Sequence, residues 1–109
     1  MKYNVLSISP FDKQLKRLAK KYPSLKNEFA ILIEGLENNP KQGINLGHNC
    51  YKIRISIVSK GRGKSGGARV ITNIVIEDSI VYLLSIYDKA EKENLTENEL
   101  KNLLAFIDK

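Results

Sequence analysis

Polar and apolar residues alternate strictly from position 50 to position 57, in the segment CYKIRISI, and this pattern limits the possible fold most strongly. Successive side chains of a β-strand point to opposite faces of its sheet. The apolar face comprises Tyr51, Ile53, Ile55 and Ile57, and the polar face comprises Cys50, Lys52, Arg54 and Ser56. Such a pattern is typical of an antiparallel strand with one buried face. We therefore predict that helices cover the isoleucines and that Lys52 and Arg54 are displayed on the opposite face.

Hydrophobic periodicity predicts most of the other elements. The segment YNVLSIS predicts a first strand that ends before Pro10. Apolar residues at helical spacing predict one helix from Phe11 and a second from near Ser24, separated by Pro23. The apolar segments RVITNIVI and IVYLLSIY predict two central strands, joined by the short connection EDS.

The end of the chain predicts one more helix, which begins with a capping box of Thr96 and Glu99. The segment KQGINLGHN, residues 41–49, is assigned to a loop from its composition. A chain of 109 residues is long enough to bury a core, and it predicts one domain over residues 1–109. We predict an α+β fold: a small, twisted, mainly antiparallel sheet with two N-terminal helices packed on one face and a C-terminal helix.

The net charge of +6 is concentrated in one part of the chain. Residues 42–76 contain no Asp or Glu, and their six cations are Lys52, Arg54, Lys60, Arg62, Lys64 and Arg69. The remaining 12 cations are balanced by 12 acids, so the rest of the chain is neutral. A cationic window of this length favours a phosphate-rich partner over an ordinary solvated surface.

The stretch SKGRGKSGGARV, residues 59–70, combines four glycines with four cations. Its GKS triplet is reminiscent of a nucleotide-binding P-loop, but Val58 stands where that motif needs its first glycine. A P-loop also leads into a helix, whereas the residues that follow here predict a strand. We therefore predict a long basic connection between two strands, and we assign Lys60, Arg62 and Lys64 to contacts with RNA.

Composition argues against several classes of protein. A single cysteine, Cys50, permits no internal disulfide, and with one histidine the chain lacks the usual ligands of a zinc site. No apolar run is long enough to span a bilayer, and the N-terminus does not have the pattern of a signal peptide. We therefore expect a cytoplasmic protein with no membrane partner, no metal and no cofactor.

Three segments together resemble the RelE/HigB toxins of bacterial toxin–antitoxin systems. They are the strand CYKIR, the basic stretch KGRGKSGGARVI and the segment YLLSIYDKAEKENLT, and with the preceding helix pair the resemblance extends from Phe11 to Leu104. It implies a single RelE-like toxin domain. It also implies an endoribonuclease that cuts messenger RNA in the decoding site of the small ribosomal subunit, with a cognate antitoxin as the controlling partner.

The resemblance also implies a set of catalytic residues. Lys52 and Arg54 match the paired basic residues of the active-site strand, although the second position is a lysine in RelE. Arg69 matches an arginine that opens the next strand, and Lys89 matches a basic residue after the last strand. The family's catalytic tyrosine would align near Leu95, so Tyr87 is offered as a substitute. Lys92 joins the loop cations as a residue expected to bind RNA or the ribosome.

The predicted basic strands carry no histidine or glutamate, so the chemistry of RNA cleavage must use other groups. Lys52 is the candidate base for the 2′-hydroxyl, because neighbouring cations disfavour its charged form. Arginine stays protonated, so Arg54 and Arg69 are expected to stabilise charge on the phosphate. No carboxylates on these strands could hold Mg²⁺, which favours a metal-independent reaction. Two alternatives remain: a basic nucleic-acid-binding module without catalysis, and a ParE-like toxin that acts on DNA gyrase.

Overall fold

A computed structural model describes residues 2–61, 63 and 66–107, so that the predicted RNA-binding residues Arg62 and Lys64 lie outside the described part. The elements in chain order are β1 (Asn4–Ser7), α1 (Ser9–Lys21), α2 (Leu25–Asn38), β2 (Ile44–Gly47), β3 (Cys50–Ile55), β4 (Ala68–Val75), β5 (Ile80–Asp88) and α3 (Glu97–Leu104). Short 3-10 turns at Val58–Lys60 and Ile76–Asp78 follow β3 and β4. None of the described helices is long and apolar enough to cross a lipid bilayer.

The five strands form one sheet in the order β1-β5-β4-β3-β2. β1 pairs with β5 in parallel, and the other three pairings are antiparallel. The three central strands are the ones that the sequence predicts as strongly apolar or strictly alternating. This arrangement confirms the predicted α+β architecture with a mainly antiparallel sheet.

The core lies between the sheet and the two N-terminal helices. It includes Phe11 and Leu18 from α1, Leu25, Leu32 and Leu36 from α2, Ile53 and Ile55 from β3, and Val70 and Ile86 from the central strands. The apolar face of β3 is therefore covered by helices, as its alternation predicts. The third helix begins with the predicted capping box, and its residue Leu100 lines a groove with Lys52 on the opposite face of the sheet.

The assignment of residues 41–49 to a loop is wrong, because this segment contains β2. The strand pairs with β3 through a hairpin whose turn residues, His48 and Asn49, have φ angles of 54° and 58°. A two-residue turn of this kind needs positive φ at both positions and is usually marked by Asn-Gly or Asp-Gly. All four residues of β2 are exposed, and the alternation of Ile44 and Leu46 with Asn45 and Gly47 is too short to distinguish this edge strand from a loop.

The glycine-rich stretch connects two strands, as the sequence predicts, because β4 begins at Ala68. Gly67 has a steric reason for its position: a Cβ atom there would overlap the carbonyl oxygen of Ile55. The absence of a side chain lets the start of β4 approach the end of β3 closely. The strand that follows the GKS triplet is incompatible with a P-loop.

Candidate active site

The register of the central strands places two predicted arginines directly opposite each other. Arg54 of β3 faces Arg69 of β4, and Arg69 in turn faces Tyr87 of β5. Directly opposed residues share one face of the sheet, with Cβ atoms about 4.5–5.5 Å apart, and like charges in such a pair destabilise the sheet. The opposed positions of Arg54 and Arg69 are therefore electrostatically unfavourable. Both residues belong to the face of the sheet that α1 and α2 leave uncovered.

These arginines belong to an open cleft of about 310 Å³, which we call the cationic cleft. Its lining residues are Lys52, Arg54, Arg69, Lys89, Glu93 and Asn94. Four of the five residues predicted to be catalytic are thus brought together. The fifth, Tyr87, lies beside Arg69 in the register but does not line the cleft.

The cations of the cleft differ in exposure and in their contacts. Arg54 is exposed, Lys52 and Lys89 are half-buried, and Arg69 is only 5% exposed. The Lys52 ammonium donates a hydrogen bond to Oδ1 of Asn94 at 3.0 Å, and Nη1 of Arg69 donates to the carbonyl of Ala68 at 3.2 Å. One wall of the cleft is therefore closed by a side-chain contact between β3 and the segment that precedes α3.

Tyr87 is a buried residue at the end of β5. It is 4% exposed, and its hydroxyl has no hydrogen-bond partner within the described chain. Burial raises the pKa of the Tyr87 phenol and outweighs the opposite effect of the Arg69 charge. The hydroxyl is therefore a protonated, buried group on the strand next to Arg69.

The predicted RNA-binding lysines that can be placed have partners within the protein. The Lys60 ammonium pairs with the carboxylate of Asp88, donates to the carbonyl of Gly66 at 2.8 Å and lies 5.9 Å from the Tyr22 ring centroid. Lys92 pairs with Glu99 on α3. The role of Lys60 in docking was predicted from local charge alone, whereas its long-range ion pair gives it a structural function.

Asp88 is the centre of a buried network behind the cationic cleft. It is 1% exposed, accepts a hydrogen bond from the Tyr22 hydroxyl at 2.6 Å and accepts another from the Ala90 amide at 2.9 Å. Burial alone would raise the pKa of Asp88, but the hydrogen bonds from Lys60, Tyr22 and Ala90 outweigh it, so the pKa is lowered. Asp88 is therefore held in its carboxylate form. Its two neighbours in the chain, Tyr87 and Lys89, are predicted site residues.

Two residues of the cleft, Glu93 and Asn94, are absent from the residues predicted from the sequence, which are all cations except Tyr87. Both lie in the connection between β5 and α3. The available signal was the capping box of Thr96 and Glu99, which fixes where α3 begins and so limits the path of the residues before it. Glu93 provides a carboxylate where the sequence predicted none.

Within residues 2–61, 63 and 66–107, no three side chains of His, Cys, Asp or Glu lie close enough together to hold a metal ion. The chemical groups of the cleft are four cations, one carboxylate and one amide, which suit an anionic ligand.

Comparisons with known proteins agree with this architecture. A free arginine-to-alanine double mutant of the E. coli toxin RelE matches with a TM-score of 0.65 and 14% identity, covering 96% of this chain and 97% of RelE. The Mycobacterium tuberculosis toxin–antitoxin complex RelBE2 matches with a TM-score of 0.56 and 18% identity, covering 81% and 99%. The E. coli RelE mutant bound to an antitoxin RelB peptide matches with a TM-score of 0.53 and 17% identity, covering 94% and 93%.

The three structures are similar to this chain in fold, but their sequence identities are too low to show a shared activity. A sequence model of the family described as the RelE toxin of the RelE/RelB toxin–antitoxin system matches residues 11–108. Because this match covers nearly the whole chain, the protein belongs to the RelE toxin family.

Proposed function

We propose that this protein is an endoribonuclease toxin that cuts messenger RNA on the ribosome. In the proposed reaction the 2′-hydroxyl of one nucleotide attacks the adjacent phosphate without a metal ion. The observation that carries the proposal is the direct opposition of Arg54 and Arg69 across β3 and β4. Family membership agrees with a toxin, and the cleft supplies the chemical groups from which an activity can be argued.

The paired arginines are suited to a phosphate whose charge increases during the reaction. Like charges at directly opposed strand positions are unfavourable, and an anion that binds both arginines relieves that repulsion. Each presents several N–H donors in a fixed plane that fits phosphate oxygens, and neither loses its proton at neutral pH. Groups held in place before the reaction stabilise the pentavalent transition state without having to reorganise.

The shape of the cleft favours a ribosome-bound substrate. The cleft is open to solvent and Arg54 is exposed. Such a surface stabilises charge but gives little control over the conformation of a flexible RNA strand. We propose that the decoding site of the small subunit aligns the messenger, and consequently that the protein acts in the cytoplasm.

We also propose a cognate antitoxin as partner. Two of the matched structures, one from M. tuberculosis and one from E. coli, contain an antitoxin. In the present chain α3 is short, follows the segment that lines the cleft, and contributes one buried residue, Leu100, to the core. An acidic or apolar antitoxin segment could therefore cover the cations or displace this helix at a small cost in buried surface.

The test is cleavage of messenger RNA on programmed ribosomes, compared with free RNA. We expect products with a 2′,3′-cyclic phosphate and a 5′-hydroxyl, and no cleavage when the scissile nucleotide is 2′-deoxy. Arg54→Gln should lower the single-turnover rate on the order of 10²–10³, as expected for losing one preorganised stabilising group. Lys16→Gln is the matched control, since Lys16 is an exposed cation of α1 outside the cleft.

Three results would contradict the proposal. Binding to ribosomes without any cleavage would indicate a basic binding module. Inhibition of DNA gyrase, with RNA left intact, would indicate a ParE-like toxin. Cleavage of a 2′-deoxy substrate would exclude attack by the 2′-hydroxyl.

A further inference from the structure

We infer that Glu93 accepts the proton of the attacking 2′-hydroxyl. The inference deepens the proposed function and rests on it, since it assigns the base of the same reaction. It replaces Lys52, which the sequence suggested for this role, with a residue that only the folded chain brings into the cleft.

The charges of the cleft distinguish Glu93 from its neighbours. Glu93 is exposed, and it is the one carboxylate among the described residues that line the cationic cleft. It forms no ion pair within 4.0 Å with the described cations, although four of them line the same cleft. A negative charge beside a phosphate-binding site weakens the binding of RNA. Its presence is therefore better explained by proton transfer than by binding, and its oxygens are free to accept a proton.

The other charged groups of the cleft are donors. The Lys52 ammonium donates to Asn94 at 3.0 Å, and an ammonium has three N–H donors and no acceptor site. Arg54 and Arg69 remain protonated. The Tyr87 hydroxyl is buried and does not line the cleft. Among the described residues that line the cleft, only Glu93 has a carboxylate that can accept a proton.

Asn94 gives the arrangement a fixed geometry. Its hydrogen bond from Lys52 attaches the segment before α3 to the polar face of β3, so that the preceding residue, Glu93, lies on the rim of the cleft. Lys52 is then a positioning residue for this segment as well as a positive charge near the phosphate.

The proposed step balances as follows. An oxygen of Glu93 takes the proton of the 2′-hydroxyl while the 2′-oxygen bonds to phosphorus and the bond from phosphorus to the 5′-oxygen breaks. The departing 5′-oxygen takes a proton from one of the cleft ammonium groups, Lys52 or Lys89. The products are a 2′,3′-cyclic phosphate and a 5′-hydroxyl, and the two protein groups then exchange their protons with water.

The experiment compares Glu93→Gln with wild type in single-turnover cleavage of ribosome-bound messenger RNA. The rate should fall on the order of 10²–10⁴, the usual contribution of a general base. Ribosome binding should be unchanged or tighter, because the substitution removes a negative charge and keeps the shape. Glu97→Gln is the matched control, since Glu97 lies on the first turn of α3 and outside the cleft, and its rate should stay within about twofold of wild type.

Two further variants separate catalysis from structure. Glu93→Ala should regain cleavage when formate is added, because a small carboxylate can enter an exposed position and accept the proton. Lys52→Arg should keep more activity than Glu93→Gln, since a charge and a donor remain. The assignment of Glu93 would be overturned if Glu93→Gln cleaved as fast as wild type. It would also be overturned if the variant bound ribosomes more weakly but cleaved bound messenger RNA at the wild-type rate. In both cases the proposed function would stand. A wild-type protein that binds ribosomes but never cleaves would refute both.

Discussion

Replacing Lys60 by Met tests whether the buried pair with Asp88 stabilises the fold. The side chain of Lys60 is 14% exposed and that of Asp88 is 1% exposed, so the substitution leaves a buried carboxylate without its counter-charge. Removing one partner of a buried pair costs about 3–5 kcal/mol. Asp88 keeps its hydrogen bonds from Tyr22 and Ala90, and we therefore expect the lower end, a loss of about 3 kcal/mol in the free energy of unfolding.

The matched control is Arg17→Met, which breaks the pair between Arg17 and Glu91. That pair has a distance of 3.0 Å, but its side chains are 55% and 42% exposed. Exposed pairs contribute about 0.2–1 kcal/mol. Urea titrations followed by circular dichroism at pH 7 should therefore separate the two variants by about 2 kcal/mol or more.

The pH dependence provides a second test of the same pair. The folded-state pKa of Asp88 is lowered, so its contribution to stability is present above the unfolded-state value of about 3.9 and is lost as the pH falls through the folded-state pKa. Once Asp88 is protonated, the Lys60 ammonium no longer faces a carboxylate, so removing that ammonium costs less stability. The loss in the free energy of unfolding caused by Lys60→Met should be largest at pH 7 and smaller below about pH 4. A loss in the free energy of unfolding no larger than that caused by Arg17→Met would refute this reasoning. A loss that is the same at pH 7 and at acidic pH would also refute it.

Three other changes test separate features of the structure. Lys52→Gln should lower the slope of log affinity against log salt for ribosomes by about one, whereas Lys60→Gln should leave it unchanged, because the Lys60 charge is already paired. Thr96→Ala should lower the free energy of unfolding by about 1 kcal/mol in a urea titration, through loss of the helix cap. Tyr87→Phe should keep stability unchanged or raise it by up to about 1 kcal/mol, since its buried hydroxyl has no partner in the described chain; a clear loss would mean that the hydroxyl is bonded.

The fold could be predicted from the sequence wherever one side of an element is buried. The alternation around Ile53 and Ile55 gave both the strand and the face that the helices cover, because burial selects apolar residues at a fixed period. β2 could not be predicted in this way. Its residues are exposed, and it exists because its backbone pairs with the edge of β3.

The candidate site was predictable in part for the same reason. Lys52 and Arg54 follow from local alternation, but the opposition of Arg54 and Arg69 depends on the register between β3 and β4, which alternation does not determine. The contacts of Lys52 with Asn94 and of Lys60 with Asp88 join residues 42 and 28 positions apart. Neither contact has a local pattern in the sequence, so local charge gave no indication of the ion pair of Lys60 or of the position of Glu93 in the cleft.

The end of β5 links the stability of the fold to the geometry of the cleft. Asp88 is fixed on the helix side by Tyr22 and Lys60, while the next residue, Lys89, lines the cleft and donates its backbone N–H to the carbonyl of Gly67 at 3.1 Å. Adjacent residues that point to opposite sides cannot move independently, because they share one stretch of backbone. Loosening Asp88 should therefore displace the cleft wall. It follows that Lys60→Met should slow cleavage more than Arg17→Met, although neither residue lines the site.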